Sequence, residues 1–429
     1  MVSLPRQVFR VSAAGLSAIA VLAVAGCGNN YRPVVSAINP VGPSTQPQVY
    51  ATAVADPGNG NDGLATVINV FGETVAATAA VAPSPLYFTV DSGGQAYVLH
   101  SGNSVIDSFS AAEGLMTTTV KHSSLAQGVN PLQITTNGTA GPVFIIEPSV
   151  DKVAVMSAGT PPTIRQELPV PANPVYTIAN PSATRVYTLS QGDTPGTSLG
   201  WASAIEAGTG TSNNAVSATL QVGVSPVYGV MTPDARRAFV LNQGSGTVTV
   251  INTVGNNLDK TITVGSNPLW ADVAPAINEI AVLNQGTGTS AGSLSIINVA
   301  LCSQIALPGN AACDPNNPAD AVNFGQVLAT VPVGIKPVQV AILSDLSKAY
   351  VANSDGTVTV VDMNTMVATK TITVGGKLNW IQAVAGNPTG KVLVTAADTQ
   401  VLTMIRTDTD VVTSTIQLQG KGIGVRVSQ

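Results

Sequence analysis

The fold of this chain is decided by a repeated stretch, best preserved as AYVANSDGTVTVVD at residues 349–362 followed by VATKTITV at residues 367–374. A second copy reads AFVLNQGSGTVTVIN at residues 238–252, and the string KTITV occurs at residues 260–264 and again at 370–374. A chain that repeats itself in this way is a stack of one small unit, so the repetition indicates the fold before any single residue does.

Each unit begins at a turn of the form Gly/Asn-x-x-Pro and continues through four short stretches rich in Val, Thr and Ala, which predict strands. Four strands in a unit of about 42 residues match one blade of a β-propeller. Two longer units carry insertions at residues 191–214 and 299–325, which we expect in surface loops. The residues that open the units are Pro85, Pro131, Pro174, Pro226, Pro268, Pro337 and Leu378.

The two copies above, and a degenerate one at residues 96–107 (AYVLHSGNSVID), resemble the YVTN-type propeller repeat of exported bacterial proteins. The resemblance implies an all-β propeller over residues 48–429 and leaves the activity open. The units at residues 128–171 and 172–222 depart from the pattern, because Pro and Thr stand in their second strand regions.

The two ends of the repeat array complement each other. Residues 48–83 supply three strands and lack the proline-led first one, while residues 420–429 look like a first strand with nothing after it. Pairing the two would close the ring and leave no long sheet edge exposed. We therefore predict eight four-stranded blades, or seven if one degenerate unit is not a blade. An open β-solenoid is the structural alternative.

The N-terminus has the order of an export signal. Arg6 and Arg10 precede an uncharged apolar segment at residues 11–26, which is shorter than the roughly 20 residues of a membrane span. The segment ends in Val-Ala-Gly before Cys27, which resembles a bacterial lipobox. The resemblance implies cleavage before Cys27 and a lipid on its thiol, and Gly28 favours the outer membrane. The alternative is an ordinary secretory signal followed by an incidental cysteine.

These features divide the chain into a signal peptide at residues 1–26, a lipidated and proline-rich tether at 27–47, and a propeller at 48–429. The remaining cysteines, Cys302 and Cys313, share one irregular stretch, and in an oxidising compartment such a pair predicts a disulfide. A metal site is the alternative there, but no further ligands stand nearby in the sequence.

Composition restricts the partners. The net charge is −5, only 10% of residues are charged, and no basic cluster is present. Duplex DNA binding requires several Lys or Arg residues that neutralise phosphates, so nucleic acid is not expected as a partner. We expect a monomer without a cofactor, tethered to membrane lipid through Cys27.

Candidate binding residues follow from the repeat, because the first strand of each blade lines the central channel. Lys336 and Lys377 directly precede the strand-opening residues of adjacent blades and are candidates for an anionic group at a channel mouth. Elsewhere this position holds small polar residues whose role is turn formation. These are Ser84, Asn130, Asn173, Ser225 and Asn267.

The position two residues after each strand-opening residue is mostly aromatic, although only 4% of all residues in the chain are Phe, Trp or Tyr. We call these equivalent positions the aromatic column. One interpretation is packing between blades, where a flat side chain buries a large apolar area. The other is a stacking surface at the channel mouth for a sugar, nucleobase or peptide side chain. The column consists of Tyr87, Gln133, Tyr176, Tyr228, Trp270, Gln339 and Trp380.

Catalytic motifs are absent from the sequence, which contains no G-x-S-x-G, H-E-x-x-H or C-x-x-C. His100 and His122 show no partner in the sequence and are expected as partly exposed strand or loop residues. We predict a binding or scaffold module at the cell envelope that presents its channel mouth to a protein or a small ligand. The alternative is an enzyme resembling lactone hydrolases or quinoprotein dehydrogenases. Its channel residues would be Asp272, Lys336, Lys377 and Arg426.

Overall fold

The computed structural model describes residues 49–428, except 112–119, 137–140, 160, 180–183, 208–213, 275–278, 300, 303–318, 321–322 and 387–388. Cys27 and Cys313 lie outside the described residues, and the backbone alone of Cys302 is described, so lipidation and the disulfide remain predictions. The regular elements that are described are β-strands, apart from one 3-10 turn at Pro148–Val150. None of the described helical segments is long and apolar enough to cross a membrane.

The strands form eight four-stranded antiparallel sheets, which are the blades of a propeller. In each blade the strands are given from the innermost outward. Blade 1 consists of β34 (Lys421–Ser428), β1 (Tyr50–Asp56), β2 (Asp62–Asn69) and β3 (Thr74–Pro83), and blade 2 of β4 (Pro85–Val90), β5 (Gln95–His100), β6 (Val105–Ser110) and β7 (Lys121–Ser124). Blade 3 consists of β8 (Gln133–Thr136), β9 (Val143–Glu147), β10 (Lys152–Met156) and β11 (Ile164–Pro169), and blade 4 of β12 (Pro174–Ala179), β13 (Arg185–Ser190), β14 (Leu199–Glu206) and β15 (Ala215–Val224).

Blades 5 to 8 continue the series, and the insertion in blade 6 contributes the short hairpin of β23 (Leu301–Cys302) and β24 (Ala319–Asp320). Blade 5 consists of β16 (Pro226–Met231), β17 (Arg237–Asn242), β18 (Thr247–Asn252) and β19 (Asn257–Thr263), and blade 6 of β20 (Pro268–Val273), β21 (Glu279–Asn284), β22 (Ala291–Asn298) and β25 (Val327–Ile335). Blade 7 consists of β26 (Pro337–Ile342), β27 (Lys348–Asn353), β28 (Thr357–Asp362) and β29 (Val367–Thr373), and blade 8 of β30 (Leu378–Val384), β31 (Lys391–Ala396), β32 (Val401–Arg406) and β33 (Val411–Gln417).

The ring is closed by the two ends of the propeller sequence. β34 pairs antiparallel with β1, in a register that runs from Tyr50 opposite Ser428 to Asp56 opposite Lys421. β34 also packs against the innermost strands of both neighbouring blades, β30 and β4. The predicted closure and the count of eight blades are therefore confirmed, and both degenerate units form complete blades.

The hydrophobic core lies between successive blades. The two middle strands of a blade are buried on both faces, as in β5 and β28, whereas the outermost strand β29 is almost fully exposed. Apolar clusters combine side chains of adjacent blades, for example Leu283 of blade 6 with Val351 of blade 7. In the TVTV-type strands both kinds of side chain are therefore buried, for example Val358 and Thr359 of β28.

A buried asparagine explains the Asn of the repeat and the Gly of the turn. Asn242, at the end of β17, donates from Nδ2 to Thr249 Oγ1 at 2.9 Å and accepts from the Gly223 N–H at 3.1 Å. Gly223 belongs to the outermost strand of the preceding blade, and a Cβ there would lie 2.7 Å from Asn242 Cγ. Asn353 likewise donates from Nδ2 to Thr359 Oγ1 at 3.0 Å and lies against Gly334, but its Oδ1 accepts no hydrogen bond from the described residues. In blade 5 the asparagine side chain therefore joins one blade to the next through a hydrogen bond, and in blade 7 through close packing.

The residues before the strand-opening prolines are turn formers, as the sequence suggests for the small polar ones. Asn173 and Asn267 have φ of 56° and 54°, and their Nδ2 atoms donate to the carbonyls of Gly192 and Gly286. Lys336 also has a left-handed φ, of 49°. Its backbone therefore adopts the same turn as the small polar residues.

The expectation for His100 is wrong, because its side chain is fully buried and has a partner. His100 Nε2 lies 3.2 Å from Asp107 Oδ2, while its Nδ1 lies 3.1 Å from the Pro83 carbonyl oxygen of blade 1. His122 is 63% exposed as expected, yet its Nδ1 lies 2.5 Å from Asp107 Oδ1. His100 and Asp107 occupy in blade 2 the positions of the asparagine and threonine of blade 5, so a polar pair joins blades here too.

Candidate functional site

The aromatic column converges on the propeller axis. Ring centroids lie 4.5 Å apart for Tyr176 and Tyr228, 4.0 Å for Tyr228 and Trp270, 5.5 Å for Trp270 and Trp380, and 6.2 Å for Trp380 and Tyr87. These five side chains come from five different blades, and we call them the aromatic plug. Burial raises the pKa of the Tyr176 and Tyr228 hydroxyls, so both remain neutral.

The other three blades contribute no ring to the plug. Gln133 and Gln339 instead accept hydrogen bonds from the next blade, through the N–H groups of Thr177 at 3.2 Å and Ile381 at 3.0 Å. The eighth position is Gly424, where a Cβ would lie 3.0 Å from the Trp380 ring. The missing side chain lets Trp380 lie over β34 and reach across the channel.

Plug residues also pack into the clusters between blades, as Trp380 does against Leu393 and Val425. The interpretation as packing therefore describes where the rings lie, with the addition that they meet one another across the axis. A stacking role toward a ligand remains a prediction, since each ring already contacts another ring of the plug.

A cavity of about 770 Å³ opens at the carboxyl ends of the innermost strands, and we call it the channel cavity. Its lining comes from one side of the ring, formed by blades 6, 7, 8, 1 and 2. Its volume falls within the range of about 300–1,000 Å³ that is usual for small-ligand sites. The polar side chains on its wall belong to Thr89, Asp272, Ser344, Asp345, Gln382, Thr407 and Arg426.

Lys336 and Lys377 do not line the channel cavity. Both are exposed and precede the first residues of β26 and β30, whereas the cavity wall uses the last residues of these strands. Each lysine therefore lies about five residues of extended chain before the cavity wall, a distance of about 16 Å at about 3.3 Å per residue. The predicted lysine pair and the channel cavity therefore belong to opposite ends of the channel.

Arg426 connects the cavity to the plug. Its guanidinium lies 4.2 Å from the Trp380 ring centroid, and its Nη2 donates to Tyr87 Oη at 2.9 Å. No carboxylate forms an ion pair with Arg426 in the described part of the chain, and its Nε has no hydrogen-bond acceptor there. Arg426, which lines the cavity, is therefore a stacked cation whose charge no described acid neutralises.

Asp272 is the acid of the inner wall. Its Oδ2 accepts from the Ile342 N–H of blade 7 at 2.7 Å, and its Oδ1 accepts from the Val273 N–H at 2.9 Å. Burial raises the pKa of this carboxyl to about 6, although the two N–H groups act in the opposite direction. Asp272 is therefore ionised at neutral pH and becomes protonated in a mildly acidic compartment.

Asp272 and Arg426 stand at equivalent positions, each two residues beyond the aromatic column in β20 and β34. The sequence identifies both as channel residues but gives no reason to prefer them to Lys336 and Lys377. The period of two along a strand is the signal that could have separated them, since residues i and i+2 share one face. Among the described residues, no three His, Cys, Asp or Glu side chains are placed to hold a metal ion.

Glu147 is a second acid with a perturbed pKa, outside the channel cavity. It holds in blade 3 the position of Asn242, its side chain is fully buried, and neither carboxyl oxygen has a hydrogen-bond partner among the described residues. Burial and the charge of Glu167 raise its pKa to about 7, against the opposing effect of Lys152. The threonine that serves this position in blade 5 is replaced here by an alanine, Ala154.

We expect the stability of the protein to fall as the pH rises from about 4.5 to about 7 because of Glu147. The group binds its proton more tightly when folded, so the folded state is favoured below the unfolded pKa of 4.5 and loses this advantage up to a pH of about 7. The full loss is on the order of 3 kcal/mol. Urea denaturation of wild type and Glu147→Gln across this range measures it. Parallel pH profiles for the two proteins would contradict the assignment to Glu147.

Comparisons with known proteins agree on the fold. No protein-family model matches the chain, and no curated protein matches it significantly. Solved structures do match, among them the dihydro-heme d1 dehydrogenase NirN in complex with DHE, at 12% identity and a TM-score of 0.63, covering 88% of this chain and 75% of that one.

Two further structures match over nearly their whole length. Apo AztD from Citrobacter koseri is 12% identical with a TM-score of 0.56, covering 89% of this chain and 99% of that one. A protein assigned as a 6-phosphogluconolactonase from Bacteroides fragilis is 12% identical with a TM-score of 0.53, covering 91% and 100%. At this identity the matches establish the β-propeller fold and leave the function open.

Proposed function

We propose that this protein is a YVTN-type propeller lipoprotein, held at the cell envelope by Cys27, which binds a small ligand in its channel cavity. The observation that carries the binding function is Arg426, a cation stacked on Trp380 beside a cavity of about 770 Å³ without an acidic partner in the described chain. Buried or half-buried charges are normally paired, so an unpaired one at a cavity favours an external anion.

Two experiments test the proposal. Replacing Cys27 by Ala should move the protein from the membrane fraction to the soluble fraction and abolish incorporation of labelled fatty acid. A thermal-shift screen of anionic and zwitterionic metabolites should give ligands whose effect disappears in Thr89→Trp, which fills the cavity, and persists in Lys377→Gln. A screen without any hit sensitive to Thr89→Trp would refute the binding site, independently of the result for Cys27.

A second candidate function is hydrolysis of a lactone, which Asp272 favours. A carboxylate with a pKa of about 6 can act as a general base near neutral pH, and Arg426 could stabilise a developing negative charge. A screen of lactones on the purified protein, with Asp272→Asn as the comparison, decides between the candidates. Turnover that depends on Asp272 would favour the enzyme.

A further inference from the structure

The channel cavity has two opposite charges on its inner wall that do not pair with each other. Asp272 of blade 6 and Arg426 of blade 1 lie at equivalent strand positions, with blades 7 and 8 between them. No ion pair joins them or links either to another charged side chain that the structure describes. Both charges are therefore available to an occupant of the cavity.

Arg426 is prepared for a carboxylate. Of its five N–H donors, the Nη2 bond to Tyr87 uses one and the Nε donor is shielded from solvent, so the three remaining donors, on Nη1 and Nη2, have no acceptor in the described chain. Stacking on Trp380 holds the guanidinium plane in place, so little side-chain entropy is lost on binding. A planar fork of donors matches a carboxylate through two parallel hydrogen bonds.

Asp272 is prepared for a cationic or neutral donor. Its two backbone hydrogen bonds occupy one lone pair on each oxygen, so each oxygen keeps a second acceptor position. The other acid of the cavity, Asp345, is exposed at the rim and accepts from the N–H and hydroxyl of Ser347. Asp272 is thus the anionic contact of the inner wall.

We infer that the channel cavity binds a small zwitterion of the amino acid and short-peptide class, with its carboxylate on Arg426 and its ammonium on Asp272. This inference rests on the proposed binding function and specifies its ligand. A singly charged ligand would satisfy one wall and leave the opposite charge desolvated, which costs free energy. Thr89, Gln382 and Thr407 add uncharged polar contacts that suit a peptide backbone.

The test measures the affinities of three matched peptides for the full-length protein at pH 7.5 by isothermal titration calorimetry. Glycylglycine carries both charges, N-acetylglycylglycine carries only the carboxylate, and glycylglycine amide carries only the ammonium. We expect each blocked peptide to bind about tenfold more weakly than glycylglycine, the effect of losing one charge-assisted contact. Equal affinity for the three peptides, or binding of none at millimolar concentration, would overturn the inference.

The variants assign each end of the ligand. Asp272→Asn should remove the preference for glycylglycine over its N-acetyl form, Arg426→Gln should remove the preference over the amide, and Lys377→Gln should change neither. Because the peptides test both charges on the wild-type protein, the inference stays testable even where a variant fails to fold. If peptides fail but other metabolites bind in a manner sensitive to Thr89→Trp, the ligand class is wrong and the binding function stands.

Discussion

A chain that ends at Gly420 should lose the cooperative fold of the whole propeller. Deletion of β34 removes the innermost strand of blade 1, frees the edge of β1, and withdraws the strand from its contacts with β30 and β4. Arg426 and the close contact of Gly424 with Trp380 are lost as well. We expect a loss of stability comparable with the whole free energy of unfolding of a domain, about 5–15 kcal/mol.

Thermal denaturation followed by circular dichroism, together with size-exclusion chromatography, measures this effect. Deletion of Gln429 alone, which lies beyond β34, is the matched control and should unfold like the wild type. A synthetic peptide of residues 420–429 added to the truncated chain should restore part of the transition, because it can pair with β1. A truncated chain with the melting temperature of the wild type would show that the ring does not depend on this closure.

Replacing Trp380 by Ala should lower the free energy of unfolding by about 3–5 kcal/mol, the usual cost of removing a large aromatic side chain from a packed site. The ring contacts Trp270 and Tyr87 across the axis, supports the Arg426 guanidinium, and packs against the cluster of blades 8 and 1. Its loss would leave a void at the centre of the plug and an unsupported cation beside it.

Trp201→Ala is the matched control, because Trp201 is half-buried on β14 and does not belong to the plug. We expect a smaller effect there in urea denaturation followed by circular dichroism. Trp380→Phe should recover part of the lost stability, since it restores a ring at the same position. A Trp380→Ala protein with unchanged stability but lost ligand binding would show that the column is a stacking surface and that packing is secondary.

Much of the fold could be predicted from the sequence because each blade is a local unit. Four strands that are consecutive in the chain pair with one another, so the repeat of TVTV and KTITV indicates a blade without knowledge of any distant contact. The pairing of residues 420–429 with residues 48–83 could also be predicted, because one end of the chain has a unit that lacks a strand and the other end has one strand too many. The role of the repeated asparagine was not readable, because its glycine partner lies in the preceding blade.

The candidate site was predicted less well, since it depends on which residues of different blades reach the axis together. Lys336 and Lys377 stand next to each other in the repeat alignment but away from the channel cavity. The contacts of His100 and His122 were also missed from the sequence, because both histidines, on separate strands, contact the same carboxylate of Asp107.

The amino-acid sequence by itself determined the blade, its strand order and the closure of the ring, because those depend on hydrogen bonds between neighbouring or terminal segments. Tertiary structure alone decided that five rings meet on the axis, that Arg426 has no acidic partner in the described chain, and that Asp272 shares its cavity. The physical reason is that a repeat defines positions within a blade, whereas charge and burial at the axis depend on side chains from several blades at once.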